Sequence, residues 1–115
     1  NFIRMNLKDH NSILNMIEEL ENNYGLPDIV INNAAGNFIS TSEFLSYNAW
    51  NTIIDIVLKG TVDLTLELGK KMIEQDKTGC FLSISTTYAD TGSGFVLPSG
   101  IAKAGINNMT RTLGA

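Results

Sequence analysis

The sequence predicts an α/β fold, a three-layer, doubly wound parallel sheet of which this chain forms the central portion. Three observations predict it. Strand-like and helix-like segments alternate along the whole chain, and the joints between them are short. The strand candidates are brief continuous apolar runs, the pattern a parallel sheet produces when it is covered on both faces. Parallel neighbours need a crossover connection, and a helix is the usual one.

The first strand is expected over Phe2 to Leu7. A helix follows from about Asp9 to Tyr24, with Ile13, Ile17, Leu20 and Tyr24 on one face. Gly25 and Pro27 stop it, and Asp28 to Asn32 read as the second strand. Ser46 can cap a long helix carrying Trp50, Ile53, Ile54, Val57, Leu58, Leu64 and Leu68, which runs to about Lys77. Trp50, at helical spacing, reads as core. Gly79 opens the third strand, Cys80 to Ser85, and the last helix begins near Pro98, a residue suited to a first turn. Both ends read as internal to a longer domain, because the chain opens inside the strand-like FIRMNL and stops at TRTLGA, part-way through a helix.

Composition narrows the function classes. With 43% apolar and 17% charged residues, the chain has the make-up of a soluble globular domain. Its net charge of −4 is dispersed, with no Lys/Arg cluster for phosphates, so nucleic acid is not an expected partner. No apolar run reaches the roughly 18 residues of a membrane span. The single cysteine, Cys80, forms no internal disulfide and is expected as a small buried hydrophobe. His10 reads as a surface or capping residue at a helix start. Asn108-Met109-Thr110 fits a glycosylation sequon but lies in a helical pattern with no secretory signal, which makes chance the better reading. No metal-ligand spacing stands out.

In open parallel sheets ligands bind beyond the carboxyl ends of the strands, so the segments after Asn32 and Ser85 are the places to look. The first, NNAAGNF, joins strand-end amides to Ala34, Ala35 and Gly36, small residues that let a flat ligand approach the backbone. The second holds Ser85, Thr86, Thr87 and Tyr88. On the last helix Ser99 and Lys103 lie four apart, on one face. Each feature alone is ordinary: a strand-to-loop turn, a polar loop, a solvated Ser/Lys pair. Their order is what carries information.

IVINNAAG, then FLSIST, then a helix with PSGIAKAG resembles the short-chain dehydrogenase/reductase family over essentially the whole chain. The resemblance implies an NAD(P)-binding Rossmann-like domain with residues 1–115 as its central part. Its glycine-rich, phosphate-binding part would then precede Asn1, and a C-terminal part would follow Ala115. GSGF at Gly92 to Phe95 cannot stand in for that turn, since no third glycine follows at the required spacing. Most of the family has a tyrosine four residues before the lysine, a serine or threonine thirteen before that tyrosine, and an asparagine in the middle helix. Here those positions hold Ser99, Thr86 and Val57, so the usual proton relay is broken. Serine cannot replace the tyrosine as an acid, because a phenol ionises near pH 10 and an aliphatic hydroxyl is far weaker.

One branch departs in this same way. NNAAGNFIS, DIVLKGT and YADTGSGFVLPS are similar to the mitochondrial type of 2,4-dienoyl-CoA reductase, in which the working tyrosine lies fifteen residues before the lysine, here Tyr88. The resemblance implies reduction of a 2,4-dienoyl-CoA to a 3-enoyl-CoA by NADPH, in β-oxidation of unsaturated fatty acids. Asn37 and Tyr88 would donate to the thioester oxygen, Lys103 would hold the nicotinamide ribose, and Ser99 would support it. Asn32, Ala34, Ala35, Gly36 and Ser85 would line the cofactor, and Asn6, where the branch commonly has Asp, would contact adenine. Lys8, in place of a usual arginine, with Phe38 and Ser46, would contact the acyl-CoA. Lys keeps the charge but loses the bidentate fork. A homo-oligomer, a tetramer in relatives, and mitochondrial placement are implied likewise. Two other readings stay open: a member acting on a carbonyl substrate, and a non-catalytic dimerising or nucleotide-binding module.

Overall fold

The computed structural model describes all residues from Asn1 to Ala115. The chain runs α1 (His10–Tyr24), β1 (Ile29–Asn32), a 3₁₀ turn (Ser42–Phe44), α2 (Tyr47–Ile53), a π-helical segment (Ile54–Gly60), α3 (Thr61–Glu74), β2 (Cys80–Ser83), α4 (Tyr88–Thr91) and α5 (Leu97–Leu113). The two strands pair in parallel, with Ile29 opposite Cys80 and Asn32 opposite Ser83. Alternation and parallel pairing are as expected.

Local chemistry accounts for the boundaries. Asp9 caps α1 through its side chain, accepting from the Asn11 N–H at 3.0 Å. Gly25, at φ +80°, closes that helix as only a glycine does without strain. Ser46 caps α2 by accepting from the Ala49 N–H at 3.1 Å. At the far end Asp76 takes φ +51° while the Lys77 N–H reaches back to the Met72 carbonyl at 2.8 Å, which ends the helix as a left-handed cap does. Pro98 occupies the first turn of α5.

The core lies on one side of the sheet. Ile13 and Ile17 from α1 and Leu68 and Met72 from α3 pack on Val30, with Phe81 beside them. Ile53, Val57 and Ala102 join the middle helix to α5. Each large aliphatic buried in this way contributes about 1.5–3 kcal/mol.

Four expectations need correction. No strand forms over Phe2–Leu7: no ladder partner lies beside these residues, and an extended segment without one is not a strand. β1 is not buried on both faces, because Val30 and Asn32 face the helices while Ile29 and Ile31 stay 66% and 59% exposed. Cys80 points to that same open face and is exposed rather than buried. Tyr24 is also exposed, past the end of the stripe that Ile13 and Ile17 bury. The long helix does form in the expected place, but its centre winds as a π-helix around the fully buried Val57.

His10 is a surface residue, as expected, and has a partner the sequence did not reveal. Its Nδ1 lies 2.8 Å from the Asp63 carboxylate, so the imidazole ties the start of α1 to α3. The hydrogen bond to Asp63, then the charge of that carboxylate, raise the imidazole above its usual 6.5. A group whose pKa is raised on folding contributes fully below the unfolded value and loses that contribution as pH rises through the folded one. Proton NMR is expected to show His10 titrating above 6.5, and Asp63→Asn to return it to the ordinary value. An unchanged midpoint in that variant would exclude the pairing.

Candidate active site

The polar candidate residues fall into three groups. The tightest is built by α4 and α5. The short turn Tyr88–Thr91 aims the Tyr88 hydroxyl at Ser99 Oγ, 3.0 Å away. One helical turn on, Lys103 is only 6% exposed and its Nζ donates to the Ile84 carbonyl at 2.6 Å, just past β2. The Tyr88 ring lies against the helix at Gly100, where an added Cβ would stand 3.7 Å from it, in ordinary van der Waals contact. Burial pushes the Lys103 ammonium below its usual range, and the attraction of a Tyr88 phenolate works the other way. An ammonium has three donor hydrogens, so the bond to Ile84 leaves two for a ligand.

Ser85 is tied to the same helix. Its hydroxyl donates to Asn107 Oδ1 at 2.6 Å, and Asn107 Nδ2 reaches Asp90 at 3.4 Å. Sequence reasoning missed Asn107 and Asp90. The signal was available, because Asn107 lies four residues after Lys103 and shares its face.

The second group is the loop after β1. Asn32 is 7% exposed, and its Nδ2 donates inward to Thr65 Oγ1 at 3.0 Å and Ser83 Oγ at 3.2 Å. Its amide thus stitches β1, β2 and α3 together. Ala34 and Ala35 are exposed, and Gly36 lies against Ile53, whose Cδ1 would be 3.3 Å from an added Cβ. Asn37 is exposed, with Oδ1 accepting from the Phe38 N–H at 2.9 Å and its amide nitrogen free of protein partners. This loop meets the segment after α4 through one backbone bond, from the Ser40 N–H to the Phe95 carbonyl at 3.1 Å.

The third group lies apart, at the start of α1. Asn6 accepts from the Lys8 N–H at 3.1 Å and donates its own N–H to Ser12. Lys8 is exposed, in a hollow shared with His10, Asp55, Lys59 and Asp63. Ser46 sits at the head of α2 as its cap. His10, Asp63 and Glu67 bring ligand atoms within 4.8 Å of one another, but His10 is bonded to Asp63 and Glu67 to Lys70.

The fold thus brings Tyr88, Ser99 and Lys103 into one cluster, joins Ser85 to it through Asn107, and links the Asn37 loop to it through Phe95. It leaves Asn6, Lys8 and Ser46 outside that cluster's hydrogen bonds. Small residues on the loop after β1, and a buried ammonium with spare donors just past the end of β2, suit a flat, hydroxyl-bearing cofactor.

A family model described as short chain dehydrogenase matches residues 1–115. An uncharacterized oxidoreductase of Caenorhabditis elegans is 50% identical over 111 residues, 96% of this chain and 36% of that protein. A probable 2,4-dienoyl-CoA reductase, (3E)-enoyl-CoA-producing, from the same organism is 49% identical over 112 residues, again 96% and 36%. The crystal structure of a short chain dehydrogenase from Bacillus anthracis superposes with a TM-score of 0.93 at 42% identity, covering 96% of this chain and 46% of that one. The chain therefore spans about a third of the length of these curated relatives.

Proposed function

The chain belongs to the short chain dehydrogenase family, and from that membership we propose that the longer protein reduces a 2,4-dienoyl-CoA to a 3-enoyl-CoA with NADPH. The observation that carries the reading is the 3.0 Å contact between Tyr88 and Ser99. Serine occupies the position four before Lys103 where an acid would otherwise stand, and the phenol arrives beside it from a different element. The relatives named as probable 2,4-dienoyl-CoA reductases, at 47% and 49% identity, support the same reaction.

Bound NADPH would supply hydride to the far end of the conjugated system, with electrons running back to the thioester oxygen. The Tyr88 hydroxyl and the Asn37 amide nitrogen are the donors assigned to that oxygen. Fixed donors aimed at developing charge are the largest single catalytic effect in many enzymes. A proton from solvent at the carbon beside the thioester completes the 3-enoyl product. Tyr88 then never has to give up its proton, which is why the broken relay is compatible with turnover.

Lys103 would hold the ribose hydroxyls with its two spare donors, and its positive charge would favour the enolate. Ala34, Ala35, Gly36 and Ser85 would line the ring, with Asn32 holding the strands beneath them. Asn6 toward adenine and Lys8, Phe38 and Ser46 toward acyl-CoA belong to the proposal too. So do residues 1–115 as the middle of one domain, a homo-oligomer, and mitochondrial β-oxidation as the setting.

The test is a substrate panel. The full-length protein is expected to oxidise NADPH with a 2,4-dienoyl-CoA and not with simple ketones, and the 115-residue chain alone is expected to do neither. Turnover of ketones with Tyr88 required as an acid would replace this reading with carbonyl reduction. NADPH binding without any turnover would favour a non-catalytic module.

A further inference from the structure

Phe95 lies in the left-handed region at φ +67°, a conformation that is costly for a bulky side chain. Its ring is 59% exposed, so packing does not hold it there. A free alternative stands next to it, since Gly94 could take a positive φ without strain, yet among the neighbouring glycines only Gly92 does so, at φ +73°. Strain kept where a glycine could absorb it points to a role for the strained residue itself. What the conformation accomplishes is visible in one contact: it turns the Phe95 carbonyl toward the Ser40 N–H at 3.1 Å. No other hydrogen bond joins the loop after β1 to the segment between β2 and α5. Phe95 stands four residues before Ser99 and seven after Tyr88. One carbonyl therefore ties the element bearing Asn37 to the elements bearing Tyr88, Ser99 and Lys103.

We propose that Phe95 is a positioning residue, whose strained main chain clasps the Asn37 loop to the Tyr88 turn and sets the gap in which an acyl thioester is held. The clasp rests on the reading of Asn37 and Tyr88 given above. It acts through the backbone and not the ring, because any residue that settles in the extended or right-handed region swings its carbonyl away from Ser40.

Substitutions at Phe95 ranked by tolerance of left-handed φ test this. Glycine adopts it freely, asparagine readily, alanine at a cost, and β-branched valine least. In the full-length protein, Phe95→Gly and Phe95→Asn are expected to retain slow exchange of the Ser40 amide and kcat within about threefold on a 2,4-dienoyl-CoA. Phe95→Val should speed that exchange and lower kcat by about 10- to 100-fold, the scale set by a displacement of about 1 Å. NADPH affinity should hold across the series. Should Phe95→Val not fold, Phe95→Ala provides the milder arm, with exchange and kcat between the extremes.

A kcat that ranks with side-chain size or apolarity, valine above glycine, would overturn the proposal. So would faster Ser40 exchange with unchanged kcat, since the clasp would then position nothing. If the unsubstituted protein does not reduce dienoyl-CoA, the functional reading fails, and the ranking of Ser40 exchange still upholds or overturns the clasp.

Discussion

Tyr88→Phe is expected to lower kcat on a 2,4-dienoyl-CoA by about 10²–10³-fold, the loss that follows removal of one preorganised oxyanion donor, or about 2.7–4 kcal/mol. The ring, its contact with Gly100 and the α4 turn all survive, so NADPH affinity should not move. The substitution also leaves Ser99 Oγ without its 3.0 Å partner, at a site where Ser99 is 4% exposed. An orphaned buried hydroxyl costs about 1–3 kcal/mol, and removing both partners is close to neutral. Adding Ser99→Ala to Tyr88→Phe should therefore recover stability without recovering rate. That split separates catalysis from packing. A Tyr88→Phe enzyme within about threefold of the parent, far short of a donor's effect, would remove Tyr88 from the mechanism.

A stability effect with no catalytic component is expected at the end of the π-helical segment. A Cβ on Gly60 would lie 2.6 Å from the Leu7 carbonyl oxygen and 2.8 Å from Leu7 Cβ. A backbone oxygen cannot swing aside as a side-chain tip can, so the segment before α1 would have to move as a unit. Overpacking of that kind costs about 1–3 kcal/mol, against which alanine's better helix propensity returns about 0.5–1 kcal/mol. Gly69 provides the control, because nothing lies within 4 Å of a Cβ there. Gly69→Ala is expected to stabilise by about 0.5–1 kcal/mol, and chemical denaturation should show the two variants moving in opposite directions. Equal stability would mean that the segment around Leu7 does not rest on the helix.

The sequence was legible where one residue decides one local event. Asp9, Gly25, Ser46 and Pro98 act within a turn of themselves, and the ends of α1, α2 and α5 lie where they point. Ser99 and Lys103 were legible as a pair for a related reason, since they share a helical face at a fixed spacing, whereas the roles proposed for them, Tyr88 and Asn37 came from family resemblance. Where the ordinary reading failed, the cause was a partner distant in sequence. Phe2–Leu7 has strand composition but no ladder to join, and Ile29, Ile31 and Cys80 have core composition but face the uncovered side of the sheet.

By itself, then, the sequence determined where α1, α2 and α5 begin, where α1 stops, and the parallel pairing of the two apolar runs, while a phenol serving beside Lys103 stays a proposal drawn from family resemblance. Only the tertiary structure decided that Asn32 turns inward to Thr65 and Ser83, that Val57 sits in a π-helical winding, and that Phe95 accepts left-handed strain to hold Ser40. The physical reason is range. Caps and periodicity act over a few residues of backbone, whereas the direction of a buried amide or a strained carbonyl is set by groups brought near only when the elements pack.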